Sequence, residues 1–426
     1  MRVDDFNGLS DLAASDPDAV ARSLHWNRAD AAARIACELS WECAGARHSD
    51  ITVAPYTLLA PDLLPPSLQQ QLQDKPRVEI ASQVFAPGEL LATATPADRL
   101  EIETQSFDRG FIRGHLVEPR LGRFYPRGFI AGVAGSQRRD IRPLRVIGVN
   151  PTQLHIDLAH PLAGHQLRLS ARILDIRKAD QVQLGQIRNI TQQACNGGPG
   201  MQARWQGQPT DFFSDEPFLR QAPEPDDIFY AQPRMLAHVD STASTRIGAL
   251  YERLLPPEGR ILDLMSSLHS HLPEGFSGEV IGVGMNRAEM EANPALASAV
   301  VQDLNRDSSL PWPDASFDAA ICSLSVEYLV RPFEVFAELA RLLRPGAPVI
   351  VTFSDRWFPP KVTRVWQFAH PFERPGIVLE YFLREGRFRN LHSHSLRGLP
   401  RPPDDPYAAQ RDSSDPVFAV WCYRQL

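Results

Sequence analysis

Short apolar runs recur between Arg260 and Phe353, each bounded by turn residues, with stretches of helical apolar spacing between them. Arg260–Leu264, Glu279–Gly284 and residues 299–301 do not alternate apolar with polar, as expected of strands buried on both faces of a parallel sheet. Residues 319–325 and 348–354 extend the set. A helix from about Ser244 to Leu255 precedes the first strand, and the Pro-Pro-Glu-Gly at 256–259 ends it. Asn286 with Glu289 three residues on reads as a capping box, opening a helix that stops near Pro294. Phe333, Phe336, Leu339 and Leu343 mark a further helix, closed by Pro345 and Gly346. That order predicts a doubly wound α/β unit with its ligand at the carboxyl edge of the sheet.

The N-terminal half follows other periods. Residues 142–149, 154–158 and 167–176 read as short alternating strands joined by tight turns. Residues 1–58 are mainly helical in pattern, with an alanine-rich amphipathic stretch from Ala31 to Cys43. Gln, Gly, Pro and acidic residues dominate the region beyond Ala179, including the Asn-Gly-Gly-Pro-Gly run at 196–200, and mark a linker. The expected organisation is multi-domain, α/β plus α+β: a helical segment 1–58, an antiparallel β domain 59–178, a linker 179–210 and an α/β domain 211–426. Phe229, Tyr230 and Arg234 are expected to fold back as a lid on that last domain.

Two phrases carry a resemblance. Residues 310–322, Leu-Pro-Trp-Pro-Asp-Ala-Ser-Phe-Asp-Ala-Ala-Ile-Cys, and residues 338–346, Glu-Leu-Ala-Arg-Leu-Leu-Arg-Pro-Gly, make residues 211–426 similar to class I S-adenosylmethionine-dependent methyltransferases of the "type 11" kind. The resemblance implies a Rossmann-like sheet, S-adenosylmethionine as cofactor, and a small-molecule or protein methyl acceptor. It sets Asp263 near the methionine amino group, with Met265, Ser266 and Ser267 as the cofactor loop and Asn286 at the ribose. Asp303 and Leu304 fall at the adenine, and Ser325, Glu327 and Tyr328 at the transfer centre. Glu327 is a candidate general base toward a hydroxyl or amine, whereas a thiol-like acceptor needs none. Arg356 and Trp357 are candidate substrate contacts. The loop after the first strand departs from the family by holding serines and no glycine, and serine does not reach positive φ cheaply. A Rossmann-like scaffold without cofactor is the alternative.

The Ala-His-Pro-Leu-Ala-Gly stretch at 159–164 resembles the flap region of SlyD-type FKBP prolyl isomerases, and residues 63–72 resemble that fold's central helix. This resemblance implies binding of an extended peptide and suggests Phe107, Asp108 and Tyr125 for an isomerase pocket. A SlyD-like isomerase or chaperone carrying a non-catalytic Rossmann-like domain is thus the alternative function.

Composition narrows the classes. The 426 residues hold 44 Lys and Arg against 51 Asp and Glu, a net charge of −7 without the basic patch that nucleic-acid binders need. Five scattered cysteines form no disulfide framework, and Cys37 and Cys43 do not share a helix face. His269 with His271, and His392 with His394, lack a further ligand at metal-binding spacing, so no metal is expected. With no signal-like or membrane-spanning apolar run, a cytoplasmic location away from membranes is expected.

Overall fold

The computed structural model describes residues 8–12, 30–43, 45–60, 62–74, 80–185, 189–195 and 204–426. Sixteen strands are formed among them: β1 Ala31–Cys43, β2 Ala46–Val53, β3 Thr57–Leu58, β4 Ala81–Phe85, β5 Arg99–Glu103, β6 Phe124–Pro126, β7 Pro143–Val149, β8 Gln153–Asp157, β9 Leu167–Lys178, β10 Arg260–Leu264, β11 Glu279–Gly284, β12 Ser298–Val301, β13 Ala319–Ser323, β14 Pro348–Phe353, β15 Phe388–Arg397 and β16 Val417–Arg424.

The predicted α/β unit is present. β12, β11, β10, β13 and β14 lie side by side in parallel, and the order reverses direction beside β10, which leaves a crevice at the carboxyl ends. Helix Ser241–Leu254 precedes β10, capped by Asp240, whose Oδ1 accepts from the Ala243 amide at 2.9 Å. Helix Pro332–Leu342 leads into β14, burying Val335, Phe336, Leu339 and Leu342. Residues 265–278, between β10 and β11, form no helix.

The N-terminal half corrects the predicted organisation. Residues 31–43 form a strand, not a helix. β1 lies inside the sheet, between β2 and β9. Ala33, Ile35, Cys37, Leu39 and Trp41 pack on one side, and Ala36 packs on the other with Leu9 and Leu12. Burial on both faces erases the alternation that reveals a strand, and the alanines then imitate a helix.

Nor does an FKBP-like domain stand apart. β9 pairs with β1 and β4, and β2 pairs in parallel with β15, so a single 12-stranded sheet runs from β12 to β4. The seam between the halves is polar and bonded. Nδ1 of His48 meets Ser393 Oγ at 2.6 Å, Arg397 donates to Asp50 at 2.8 Å, and Ser395 also donates to Asp50. His160 belongs to a turn, its Nδ1 accepting from the Leu162 amide and its Nε2 lying 3.0 Å from the Cys195 carbonyl. Phe107 and Tyr125, suggested for an isomerase pocket, sit edge to face at 5.1 Å in the core of a small sheet, β5-β8-β7-β6, while Asp108 is paired with Arg138. That sheet docks on the α/β unit where Arg123 reaches the fully buried Glu373 at 2.8 Å. The helix expected over 63–72 is seen at Pro66–Asp74, whereas the run at 196–200 lies outside the described residues.

Candidate cofactor and acceptor site

A cavity of about 200 Å³ opens at the carboxyl ends of β10, β11, β12 and β13. Met265, Ser266 and Ser267 line it from the first loop, Val283 to Asn286 from the second, Gln302 to Asn305 from the third, and Ser323 to Ser325 with Tyr328 from the fourth. Its other wall is built by Tyr230, Arg234 and His238 and by Arg356, Trp357 and Phe358.

The glycine-free loop turns by an unforeseen means. Met265, not a serine, takes the left-handed conformation, at φ 56°. The serines act as donors that tie the loop down. Ser266 and Ser270 both donate to Asp263 Oδ2 at 2.6 Å, and Ser267 donates to Glu289 Oε2 at 2.5 Å. The Ser266 amide also reaches the Val283 carbonyl at 2.7 Å, drawing the loop across β11. This closeness explains Gly284, where an added Cβ would stand 2.1 Å from the Ser266 carbonyl oxygen. Gly284→Ala is therefore expected to cost about 1–3 kcal/mol by overpacking against backbone. Urea unfolding checks it, and an unchanged midpoint would contradict the packing.

Asp263 is buried under this loop and does not line the cavity. Burial pushes its carboxyl up to about 6 against the two serine hydrogen bonds. Glu327 likewise lies outside the cavity wall, although its neighbours Ser325 and Tyr328 are in it. Its Oε2 has no hydrogen-bond partner among the described residues, and burial pushes the carboxyl up to about 8. A group protonated at neutral pH makes a poor base there. Asn286 lines the cavity with its amide already engaged: Oδ1 caps the following helix through the Glu289 amide, and Nδ2 donates to the Tyr230 carbonyl at 2.8 Å. Asp303 accepts from the Asn305 amide at 2.9 Å, and Tyr328 receives the Phe358 amide at 2.8 Å. Arg356 pairs with Asp415 at 3.1 Å, and Trp357 lies 4.3 Å from the Arg374 guanidinium.

Three contributors went unread in the sequence. His238 faces the cavity, and burial lowers its imidazole below the ordinary 6.5 against the pull of Glu289, leaving it neutral at pH 7. Glu289 lines the cavity, its carboxylate taken by Ser267 and the Arg234 amide where the expected capping box would turn it back to the Asn286 amide. Asp226 anchors the lid: its carboxylate takes Arg220 at 2.7 Å, Asn305 at 2.9 Å and the fully buried Lys361 at 3.1 Å. Burial pulls that carboxyl upward, and the three donors more than offset it, leaving it below the ordinary range. The lid expected around Phe229 was legible in outline from its aromatic run, but its anchor was not, because Lys361 is far away in sequence.

Residues 266–351 match the family model described as "Methyltransferase domain". The matched residues lie within the α/β unit, and S-adenosylmethionine is the cofactor that such a domain implies. A malonyl-[acyl-carrier protein] O-methyltransferase from Marinomonas sp. (strain MWYL1) is 28% identical over 120 residues, 28% of this chain and 38% of the relative, so the match spans well under half of that protein. Among solved structures, an S-adenosylmethionine-dependent methyltransferase from Mesorhizobium loti aligns at 18% identity over 41% of this chain and 96% of its own, with a TM-score of 0.28. One from Archaeoglobus fulgidus aligns at 14% identity over 42% and 94%, with a TM-score of 0.30.

The cavity's own residues suit the cofactor. Val283 and Leu304 offer an apolar bed for a purine, Glu289 and Asp303 offer carboxylates, and Tyr328, Trp357 and Phe358 offer aromatic faces of the kind that attract a sulfonium cation. Among the described residues no group of three or more His, Cys, Asp or Glu is placed to hold a metal, and no helix is long and apolar enough to cross a membrane.

Proposed function

We propose that the protein transfers a methyl group from S-adenosylmethionine to a small-molecule acceptor that meets the cofactor under the lid. The observation that carries this reading is the cavity at the carboxyl edge, walled on its outer side by the segment from Asp226 to Val239. The bound cofactor would supply an electrophilic methyl on sulfur. The chain supplies position and dryness: Asp303 and Leu304 hold the adenine end, and Met265, Ser266 and Ser267 border the methionine end. Tyr230, Tyr328, Trp357 and Phe358 exclude water around the transferring group.

Proton removal from a hydroxyl or amine acceptor falls to His238 in this reading, since it faces the cavity as a neutral imidazole. Glu327 is not given that role. Arg356 and Trp357 stand on the same wall and border the acceptor's entry. A cavity of about 200 Å³, narrowed on its outer side by the lid, favours a small molecule over a folded protein as acceptor.

Calorimetric titration of the full chain with S-adenosylhomocysteine tests the reading. Saturable binding is expected, weakened about tenfold or more by Asp303→Ala, which removes a charged hydrogen-bond acceptor. No heat of binding with either S-adenosylhomocysteine or S-adenosylmethionine would reject it.

A further inference from the structure

We propose that Glu289 is the carboxylate that grips the two adjacent ribose hydroxyls of the cofactor, a role taken over from the end of β11; the inference rests on the reading of the cavity as an adenosyl-cofactor site. In doubly wound sheets an acid near a strand's carboxyl end commonly bonds the ribose hydroxyls of the nucleotide. β11 ends on Gly284, and no side chain fits there, because a Cβ would stand 2.1 Å from the Ser266 carbonyl oxygen. The serine loop that crosses β11 thus excludes an acid from that position.

The residues that follow narrow the choice. Met285 lines the cavity but has no oxygen to offer in its side chain. Asn286 lines it too, yet its oxygen holds the Glu289 amide and its nitrogen holds the lid carbonyls of Tyr230 and Ala231. Glu289 is the next cavity-lining residue after it in the chain.

The Glu289 side chain is aimed accordingly. In a full capping box its carboxylate would turn back to the Asn286 amide. Instead Oε2 accepts from Ser267 Oγ at 2.5 Å and Oε1 accepts from the Arg234 amide at 2.6 Å. The carboxylate is therefore fixed between the cofactor loop and the lid. An ionised carboxylate has about four acceptor directions, so each oxygen retains capacity for one hydroxyl. Two oxygens of one carboxylate match two hydroxyls on neighbouring carbons. Asp303, the other carboxylate with capacity in the cavity wall, lies two residues past the neighbouring strand β12 and serves as the control.

The test is a ligand–variant cycle read by calorimetry on the full chain, with S-adenosylhomocysteine and its 2′,3′-dideoxy analogue as probes. The wild-type chain is expected to prefer S-adenosylhomocysteine by about a hundredfold, as two charge-assisted hydrogen bonds allow. Glu289→Gln is expected to cut that preference to about tenfold or less while leaving affinity for the dideoxy analogue nearly unchanged, and Asp303→Asn is expected to keep it. Should Glu289→Gln not fold, Glu289→Asp carries the test, since it keeps the charge and withdraws it by one methylene. A preference retained in the Glu289 variant, or lost only in Asp303→Asn, overturns the proposal while leaving the cofactor site standing. A wild-type chain that binds neither probe overturns the cofactor site and the proposal together.

Discussion

Replacing Glu327 with glutamine is expected to stabilise the protein progressively as pH rises from 5 to 8. The folded carboxyl titrates near 8, against an ordinary 4.5, because burial opposes its charge. A group raised in this way favours folding fully below about 4.5, and that contribution is lost as pH climbs through 8. The full difference is worth about 5 kcal/mol. Glutamine resembles the protonated acid and does not titrate, so the variant escapes the loss. The gap in unfolding midpoint between variant and parent should be smallest near pH 5 and widest above pH 8. A gap that stays flat with pH would mean that the carboxyl is not buried uncompensated. Comparing the two proteins at each pH cancels every other titrating group.

Asp226→Ala is expected to destabilise the fold by about 3–5 kcal/mol, since it strands a buried ammonium. Lys361 is fully buried, and without Asp226 its Nζ keeps the Glu224 carbonyl at 2.6 Å with no charged partner. Arg220 and Asn305 lose the same acceptor, so the lid should loosen along with the global loss. Denaturant unfolding reads the first effect, and faster protease cleavage within residues 220–239 reads the second. Adding Lys361→Met to Asp226→Ala should recover part of the stability, because a buried methionine needs no counter-charge. A loss under about 1 kcal/mol in the single variant would show that the pair is exposed in solution.

The α/β half was legible because its strands announce themselves. Arg260–Leu264 and Glu279–Gly284 are short apolar runs between turn residues, and the structure places both strands on those boundaries. The resemblance to methyltransferases singled out Met265, Ser266, Ser267, Asp303, Leu304, Ser325, Tyr328, Arg356 and Trp357, and all of these line one cavity at the carboxyl edge of the sheet. Asp263, expected beside the cofactor, lies buried outside the cavity wall, because being at a strand's end does not say whether a side chain faces the crevice or the loop's underside. Glu327 stands outside the cavity wall for a related reason: in the tight turn Val326–Tyr328, Tyr328 lines the cavity and its neighbour Glu327 does not. His238 and Glu289 carry no local signal, since their roles arise only when the lid closes over the sheet. Ala31–Cys43 misled for the opposite reason, its local pattern being clear and false: neighbours on both faces overrode helical propensity.

The parallel pairing of β2 with β15 also sets a schedule for the chain as it is made. Partners across that seam are 345 residues apart, so the β1–β2 hairpin leaves the ribosome long before its neighbour exists. At ordinary rates of synthesis the wait is roughly 20–70 s. Throughout it, the outer edge of β2 offers unpaired backbone groups to any passing strand. Arg47, His48 and Asp50 stand along that edge, and charged or polar side chains are what discourage such encounters. His48 and Asp50, which bond the finished seam, thus also guard the newborn hairpin until β15 arrives.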